Sequence, residues 1–234
     1  MELPSRDVAV AATATFARSL STSASEPLQL QLAVAVVVEL VEGCDQSGVT
    51  MVTHDGLETM AATSDLVTNG DQLQYELGEG PCVDTVKTHN TVISSDVASD
   101  PRWPHWGPVV AQRYGVGSTL SLLLYTGHDS YGALNLYSAR PDAYNSEDIL
   151  VAHSLAAHLA VAVAAAREID HRSLAMVSRL VIGQAEGILM ERYKVSAEQA
   201  FDLLRHLSEN SNRKLVLVAE ELVATGTTKG LPHR

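Results

Sequence analysis

The sequence contains little cysteine and no long uninterrupted apolar segment. Its two cysteines, Cys44 and Cys82, are too few for the multiple-disulfide framework of a small secreted protein. The apolar run at 159–166 ends at Arg167 and is much shorter than the ~20 residues of a membrane-spanning helix. The first ten residues carry three charged side chains where a secretory signal would be apolar. We therefore expect a cytoplasmic protein with no membrane partner.

The sequence motifs of several enzyme classes are also missing. There is no phosphate-binding P-loop, no dinucleotide-binding fingerprint and no serine nucleophile elbow. His153 and His158 are five residues apart, about 140° around a helix, so they cannot share one metal ion. We expect no bound metal and no catalytic residues.

Basic charge is scarce and unevenly distributed. The 234 residues include 16 Lys and Arg against 28 Asp and Glu, a net charge of −12. Residues 1–171 hold 7 basic and 21 acidic side chains, whereas residues 172–225 hold 7 of each. Because nucleic-acid-binding domains are usually basic, charge alone does not indicate an RNA or DNA partner.

The N-terminal two thirds of the chain predict helices packed on hairpin-linked strands. In "GVTMVTHDGLETMAAT", two alternating runs are joined by Asp55-Gly56, which is typical of a β-hairpin, and a polar stretch then leads to "LGEGPC". Other segments predict helices at 8–20 and 28–41, a helix beginning at Pro81, a strand at 91–94, a short helix ending at Tyr114, and strands at 118–125 and 131–138. The predicted fold class is α+β, an antiparallel sheet with helices packed on it.

The C-terminal part predicts an all-α bundle of three helices. Ser196 and Gln199 form a capping-box pattern at the second helix, Ser211 or Asn212 can cap the third, and Gly226 stands beyond its end. The predicted inner faces comprise Val177, Val181, Ala185, Ile188, Leu189, Ala197, Ala200, Phe201, Leu204, Leu207, Leu215, Val218, Ala219 and Leu222. We interpret Gly183 and Gly187 as positions of close packing inside this bundle.

The helix between these two parts has apolar residues at alternating spacings of four and three, which is typical of a two-helix coiled coil. Its predicted dimer seam consists of Leu155, Leu159, Ala162, Ala166, Ile169 and Met176. The pattern predicts a homodimer. An intramolecular helix that packs back on the sheet remains the alternative.

Several motifs, in order, resemble a GAF domain of the actinobacterial type: "LGEGPC", "DPRWP", "GALNLYS" and "NSEDILVAHSLAAHLAVAV". The segment "SRLVIGQAEGILMERYKVSAEQAFDLLRHLSENSNRKLVLVAEELV" resembles an ANTAR domain, a three-helix RNA-binding module. The resemblance implies a GAF sensor domain with N-terminal helices at 1–150, a coiled-coil linker helix at 151–176, an ANTAR domain at 177–225 and a disordered tail at 226–234.

The resemblance to ANTAR proteins implies transcription antitermination. In that family the module acts as a dimer on stem-loops in nascent mRNA leaders and prevents terminator formation, so RNA polymerase is an indirect partner. The side chains suited to RNA phosphates and bases are Arg179, Gln184, Arg192, Lys194, Arg205, His206, Asn212, Arg213 and Lys214. Glu186 occupies a position that is commonly lysine in the family. Either this position lies just off the RNA path, or this chain binds RNA weakly or selects a different target.

The resemblance to GAF domains implies a small-molecule pocket on one face of the sheet. Its predicted residues are Cys82 and, on the closing loop, Trp103, His105 and Trp106, although the tryptophans also suit simple loop anchoring. The sequence does not identify the ligand. Cys82 suits a small buried packing residue. Because it follows Pro81 at a helix N-terminus and some GAF relatives reduce methionine sulfoxide, a redox sensor or reductase is one alternative. A protein-interaction regulator without an RNA target is another.

Overall fold

The computed structural model describes residues 6–22, 25–127 and 129–228. They form two compact units, one within residues 1–167 and one within residues 168–234. The helices are α1 (Arg6–Thr22), α2 (Glu26–Leu40), α3 (Asp65–Leu77), α4 (Pro81–Thr88), α5 (Trp106–Tyr114), α6 (Ser146–Tyr193), α7 (Ala197–Ser211) and α8 (Leu215–Thr225). The strands are β1 (Gln46–Thr53), β2 (Gly56–Ala62), β3 (Val92–Ser94), β4 (Ser118–Thr126) and β5 (Asp129–Ser138).

The first unit is built on a five-stranded sheet in the order β2-β1-β5-β4-β3. Every neighbouring pair is antiparallel, which confirms the predicted α+β fold. Side chains alternate between the two faces of the sheet. Leu120, Leu122 and Leu134 belong to an apolar core that also contains residues of α2 and α6. The other face carries polar side chains, among them Thr50 and Asn135, and is covered by α3 and α4.

Helix α3 is the element that the sequence pattern misses. The polar stretch Thr68-Asn69-Gly70-Asp71 has the composition of a turn, yet it lies inside a helix of 13 residues. One side of α3 is buried, including Val67 and Gly70, and the helix ends at Gly78 with a φ of 66°. Burial of this one side therefore outweighs the weak helix propensity of the stretch.

The second unit is a three-helix bundle made of the C-terminal part of α6 with α7 and α8. Its core contains Ala185, Leu189, Ala200, Leu204, Val218, Ala219 and Leu222. The predicted capping box is confirmed, because the Ser196 side chain accepts from the Gln199 amide and the Gln199 side chain accepts from the Ser196 amide. Gly226 ends α8 with a φ of 72°, also as predicted.

Other details of the predicted bundle are wrong. The N-cap of α8 is Lys214, whereas Asn212 is the C-cap of α7, with a φ of 51°. Val177 is 55% exposed and Phe201 is 40% exposed, so neither belongs to the core. Ala197 is exposed as well.

Gly183 and Gly187 are not sites of close packing within the chain. A Cβ atom added to either glycine would meet no other atom within 4 Å. Each glycine is two residues from the buried Ala185, about 200° around the helix, so both lie on the side of α6 that faces away from the bundle core. The interpretation of this pair as an internal packing device is therefore wrong.

Helix α6 is long and apolar enough, by length and composition alone, to cross a membrane. Core helices of other proteins also pass this test, and the N-terminal part of α6 is packed in the apolar core of the first unit.

The predicted disordered tail begins at Gly226, but Thr228 is buried and its Oγ1 donates to Glu221 Oε2 at 3.2 Å. The rest of that tail, residues 229–234, lies outside the described residues.

Candidate functional site

A buried polar network occupies the sheet face beneath α3 and α4. Its centre is Asp71 on α3, which has no exposed surface. Tyr137 Oη donates to Asp71 Oδ1, Gln74 Nε2 donates to the same oxygen at 3.0 Å, and Thr59 Oγ1 donates to Asp71 Oδ2 at 3.0 Å. Asn135 Nδ2 donates to Thr50 Oγ1 at 2.9 Å. The network therefore joins α3 to three strands.

Asp71 is held between two opposing effects. Burial raises the pKa of its carboxyl from 3.8 to about 6, because the charged form loses its water, while the hydrogen bonds from its neighbours lower it. Gln74 Oε1 also accepts from the Cys82 backbone amide at 2.8 Å. The network thus links the carboxyl to the N-terminus of α4. No sequence pattern indicated this site, because α3 was not predicted.

Cys82 lies in the first turn of α4, as predicted. It has no exposed surface, and burial raises the pKa of its thiol to about 12. The same cause raises the pKa of the Cys44 thiol to about 12. Both cysteines are free and protonated at neutral pH, which fits the interpretation of Cys82 as a small buried packing residue and not the alternative of a reactive thiolate.

Trp103 and Trp106 anchor the loop before α5. Their rings meet edge to face with centroids 5.6 Å apart, and both are at most 1% exposed. Trp103 Nε1 donates to Asp84 Oδ2 at 2.8 Å, and Trp106 Nε1 donates to Gly70 O at 3.0 Å. A ligand could touch either indole only after this loop moved.

His105, the fourth predicted pocket residue, is exposed and pairs with Glu79. His105 Nδ1 lies 2.7 Å from Glu79 Oε1, and the amides of His105 and Trp106 donate to Glu79 Oε2. The His105 side chain lowers the pKa of the Glu79 carboxyl through its hydrogen bond. The predicted pocket residues therefore combine three enclosed side chains with one at the surface.

A groove of about 500 Å³ lies elsewhere in the first unit. Its lining includes His89, Thr91, Tyr125, Asp129 and His153. Thr91 Oγ1 and His153 Nε2 are 3.3 Å apart. Among the described residues, no group of three or more His, Cys, Asp and Glu side chains could hold a metal ion.

The predicted RNA-contacting side chains all belong to the second unit, and most are exposed. Those classed as exposed are Arg179, Gln184, Lys194, Arg205, His206, Asn212, Arg213 and Lys214, while Arg192 is half-buried. Their surroundings divide them into side chains with structural contacts and side chains at the open surface.

Three of these residues have structural contacts. Arg192 Nη1 donates to Gly226 O at 2.5 Å and so satisfies a carbonyl at the C-terminal end of α8. Asn212 holds the left-handed conformation that ends α7. Arg213 is ion-paired with Glu221, one helix turn from the end of α8. An RNA contact by Arg192 or Arg213 would have to replace these partners.

The remaining cations are at the open surface. Arg205 Nη2 lies 2.9 Å from Asp202 Oδ1, and Lys194 Nζ lies 3.1 Å from Glu191 Oε1. Exposed pairs of this kind contribute about 0–1 kcal/mol, so a phosphate can exchange for the carboxylate at little cost. Lys214 is exposed at the start of α8.

Comparison with protein-family models divides the chain in the same way as the structure. A GAF domain model matches residues 25–164 and an ANTAR domain model matches residues 171–223. The chain belongs to the GAF–ANTAR family. The two domains are those of a regulator in which a sensor module is joined to an RNA-binding module.

Solved structures support the GAF fold. A GAF domain of a Coxiella burnetii phosphoenolpyruvate-protein phosphotransferase is 17% identical, with a TM-score of 0.56, covering 70% of this chain and 96% of that chain. The Neisseria meningitidis free methionine-R-sulfoxide reductase is 18% identical, with a TM-score of 0.58, covering 72% of this chain and 96% of that chain. These likenesses show the fold alone. The comparison with curated protein sequences gave no match.

The predicted dimer seam is only partly exposed. Leu155 and Leu159 have no exposed surface and belong to the apolar core of the GAF unit, and Ala162 packs against that core. These positions cannot also contact a second copy, so the seam does not begin at Leu155. Their spacing instead fits the alternative of an intramolecular helix packed on the sheet. Ala166 is half-buried.

The C-terminal continuation of the same spacing is exposed. Ile169 is 63% exposed, Met176 is 71% exposed and Leu180 is 62% exposed. The alternation of four and three continues through Gly183 and Gly187 to Met190, which is 37% exposed. We call the positions Ile169, Ser173, Met176, Leu180, Gly183, Gly187 and Met190 the exposed seam.

Proposed function

We propose that this GAF–ANTAR protein is an RNA-binding transcription antiterminator. Its ANTAR domain binds stem-loops in nascent mRNA, and its GAF domain responds to a ligand or another signal that controls this binding. The observation that carries the proposal is the ANTAR match over residues 171–223, joined to cations that stand at the open surface of that module. We propose Arg205 and Lys214 for phosphate contacts, because both side chains are exposed and the ion pair of Arg205 with Asp202 is itself exposed.

Homodimerisation is part of this proposal. The exposed seam gives a stripe of three heptads with Ile169, Met176 and Leu180 at apolar positions, which suits a parallel or antiparallel pair of helices. A dimer doubles the cations that can reach one RNA, which offsets the neutral charge of the module. We further propose that the protein is cytoplasmic, that RNA polymerase is an indirect partner, and that the chain is not an enzyme.

A salt titration of hairpin RNA tests RNA binding. Removing one phosphate contact should reduce the magnitude of the slope of log affinity against log salt by roughly 0.7 to 0.9. We expect this reduction in Lys214→Ala and in Arg205→Ala, and no change in Lys87→Ala, the matched control in the GAF domain. Glu186→Lys should tighten binding if this half-buried residue lies along the RNA path. Equal affinity of the wild-type protein for the hairpin and for an unstructured RNA of the same length would contradict the proposal.

The alternatives receive less support from the geometry. A Cys82-centred redox sensor or methionine-sulfoxide reductase needs an accessible thiolate, and Cys82 is a buried thiol. A regulator that acts through protein contacts alone is the reading that replaces antitermination if the RNA titration fails.

A further inference from the structure

Phe201 presents an aromatic ring to solvent from the middle of a folded bundle. The chain has two phenylalanines, and Phe16 is 3% exposed whereas Phe201 is 40% exposed. The buried side of α7 is formed by Ala200 and Leu204. Because successive residues are about 100° apart around a helix, Phe201 lies at the flank of this buried side. Part of the Phe201 side chain is therefore open to solvent.

Phe201 begins a line of residues that leads to the turn between α7 and α8. Arg205 and Ser208 follow at four and seven residues, which places the three side chains on one side of the helix. Ser208 Oγ donates to Arg213 O at 2.5 Å, and Arg213 N donates to Ser208 O at 3.1 Å. These two bonds hold the backbone of Arg213, the residue before Lys214, beside Ser208.

We propose that Phe201 is the stacking platform of the RNA interface, taking one unpaired base of a hairpin loop, with Arg205 and Lys214 contacting the neighbouring phosphates. The inference rests on the proposed function. Single-stranded nucleic acids are bound by combining aromatic rings, on which bases stack, with cations that follow the backbone. The line from Phe201 to Lys214 brings these two chemistries together.

Other rings of the ANTAR domain suit this role less well. Among residues 172–228, the other aromatic or imidazole side chains are Tyr193 and His206. Tyr193 is half-buried and packs against the bundle core. His206 is held by a 2.7 Å contact between its Nδ1 and Asp202 O. The proposed dimer contact, the exposed seam, lies on α6, whereas Phe201 lies on α7. Phe201 is therefore not one of the residues proposed to contact the second copy.

The test uses the full-length protein and a hairpin that the wild-type protein enriches from a pool with a randomised loop. Loop bases are replaced one at a time by 2-aminopurine, whose fluorescence reports stacking. Phe201→Leu keeps an apolar side chain but removes the ring, and Phe201→Tyr keeps the ring. Leu203→Ala is the matched control, because Leu203 is 38% exposed on the other flank of α7. Helicity and solution mass are checked for every variant.

We expect Phe201→Leu to weaken hairpin binding by about 5- to 100-fold, because base stacking on the ring supplies most of what Phe201 contributes to the affinity. The salt slope should not change, and the fluorescence response of one loop position should disappear. Phe201→Tyr should stay within about threefold of wild type, and Leu203→Ala should have no effect. If Phe201→Leu binds as wild type does, the platform is wrong while RNA binding stands.

Two other results would also overturn the platform. If Phe201→Leu lowers the solution mass without RNA, Phe201 is a contact between copies of the chain. If the wild-type protein enriches no hairpin from the pool, the proposed function and the platform fail together.

Discussion

Asp71 is a fully buried carboxyl that accepts hydrogen bonds from its neighbours. Its burial makes the stability of the protein depend on pH. The folded protein holds the carboxyl pKa at about 6, above the ordinary value of 3.8. The folded state therefore binds more protons than the unfolded state between pH 4 and pH 6. The stabilisation that this proton provides is complete below pH 4 and is lost as the pH rises through 6.

Asp71→Asn removes this ionisation and should reveal its size. From pH 4 to pH 7, we expect the unfolding free energy of wild type to decrease relative to that of Asp71→Asn by up to about 3 kcal/mol. Urea unfolding at a series of pH values measures it, since every other carboxyl is shared by both proteins. Glu58→Gln, at an exposed strand position, is the control and should show no such trend. A difference that stays constant with pH would contradict the assignment.

At the scale of single residues, the sequence predicts helix caps and helix ends better than it predicts which side chains are buried. The Ser196 capping box and the terminal Gly226 depend on a few adjacent residues, and both were predicted correctly. Phe201 and Leu159 depend on what packs from distant parts of the chain. A periodic apolar pattern cannot separate a core residue from a flanking one, so Phe201 was placed wrongly in the core.

Among the elements, α6 shows how one pattern serves two purposes. The alternation of four and three runs from Leu155 to Met190, but its first part packs in the GAF core and its later part is exposed. Any helix with an apolar stripe has this spacing, so the sequence could not say where the intramolecular contact ends. The strands and their hairpins were predictable because turn residues such as Asp55-Gly56 mark them.

Charge introduced at the exposed seam should affect dimerisation without affecting folding, unlike charge introduced at the buried positions of α6. Met176→Asp combined with Leu180→Asp should shift the solution mass toward monomer and leave both domains folded, because these side chains have no core role. Leu159→Asp should instead unfold the GAF domain, since it buries a charge. Light scattering and circular dichroism distinguish the two effects.

The control for the seam is Val161→Asp. Val161 is 62% exposed on the GAF part of α6, at a position outside the alternation. This variant should keep the mass of the wild-type protein. A double seam variant that also keeps the wild-type mass would show that the copies associate elsewhere or that the protein is a monomer.

On the scale of the whole molecule, a strongly acidic GAF domain is joined to a neutral ANTAR domain. Residues 1–171 carry 21 acidic side chains against 7 basic ones. Such an excess repels RNA over about one Debye length, roughly 8–10 Å at cellular salt. We therefore expect the proposed RNA binding to depend on a few exposed side chains, such as Arg205 and Lys214, more than on overall charge.

The most direct test of antitermination is the sequencing of RNA crosslinked to the protein in its native cell. We predict enrichment of leader segments that can form hairpins upstream of a terminator. The enrichment should be lost in a chain carrying Arg205→Ala and Lys214→Ala and kept in a chain carrying Lys87→Ala. Crosslinked RNA with no hairpin preference, or with the same profile in the Arg205 and Lys214 variant, would contradict the account.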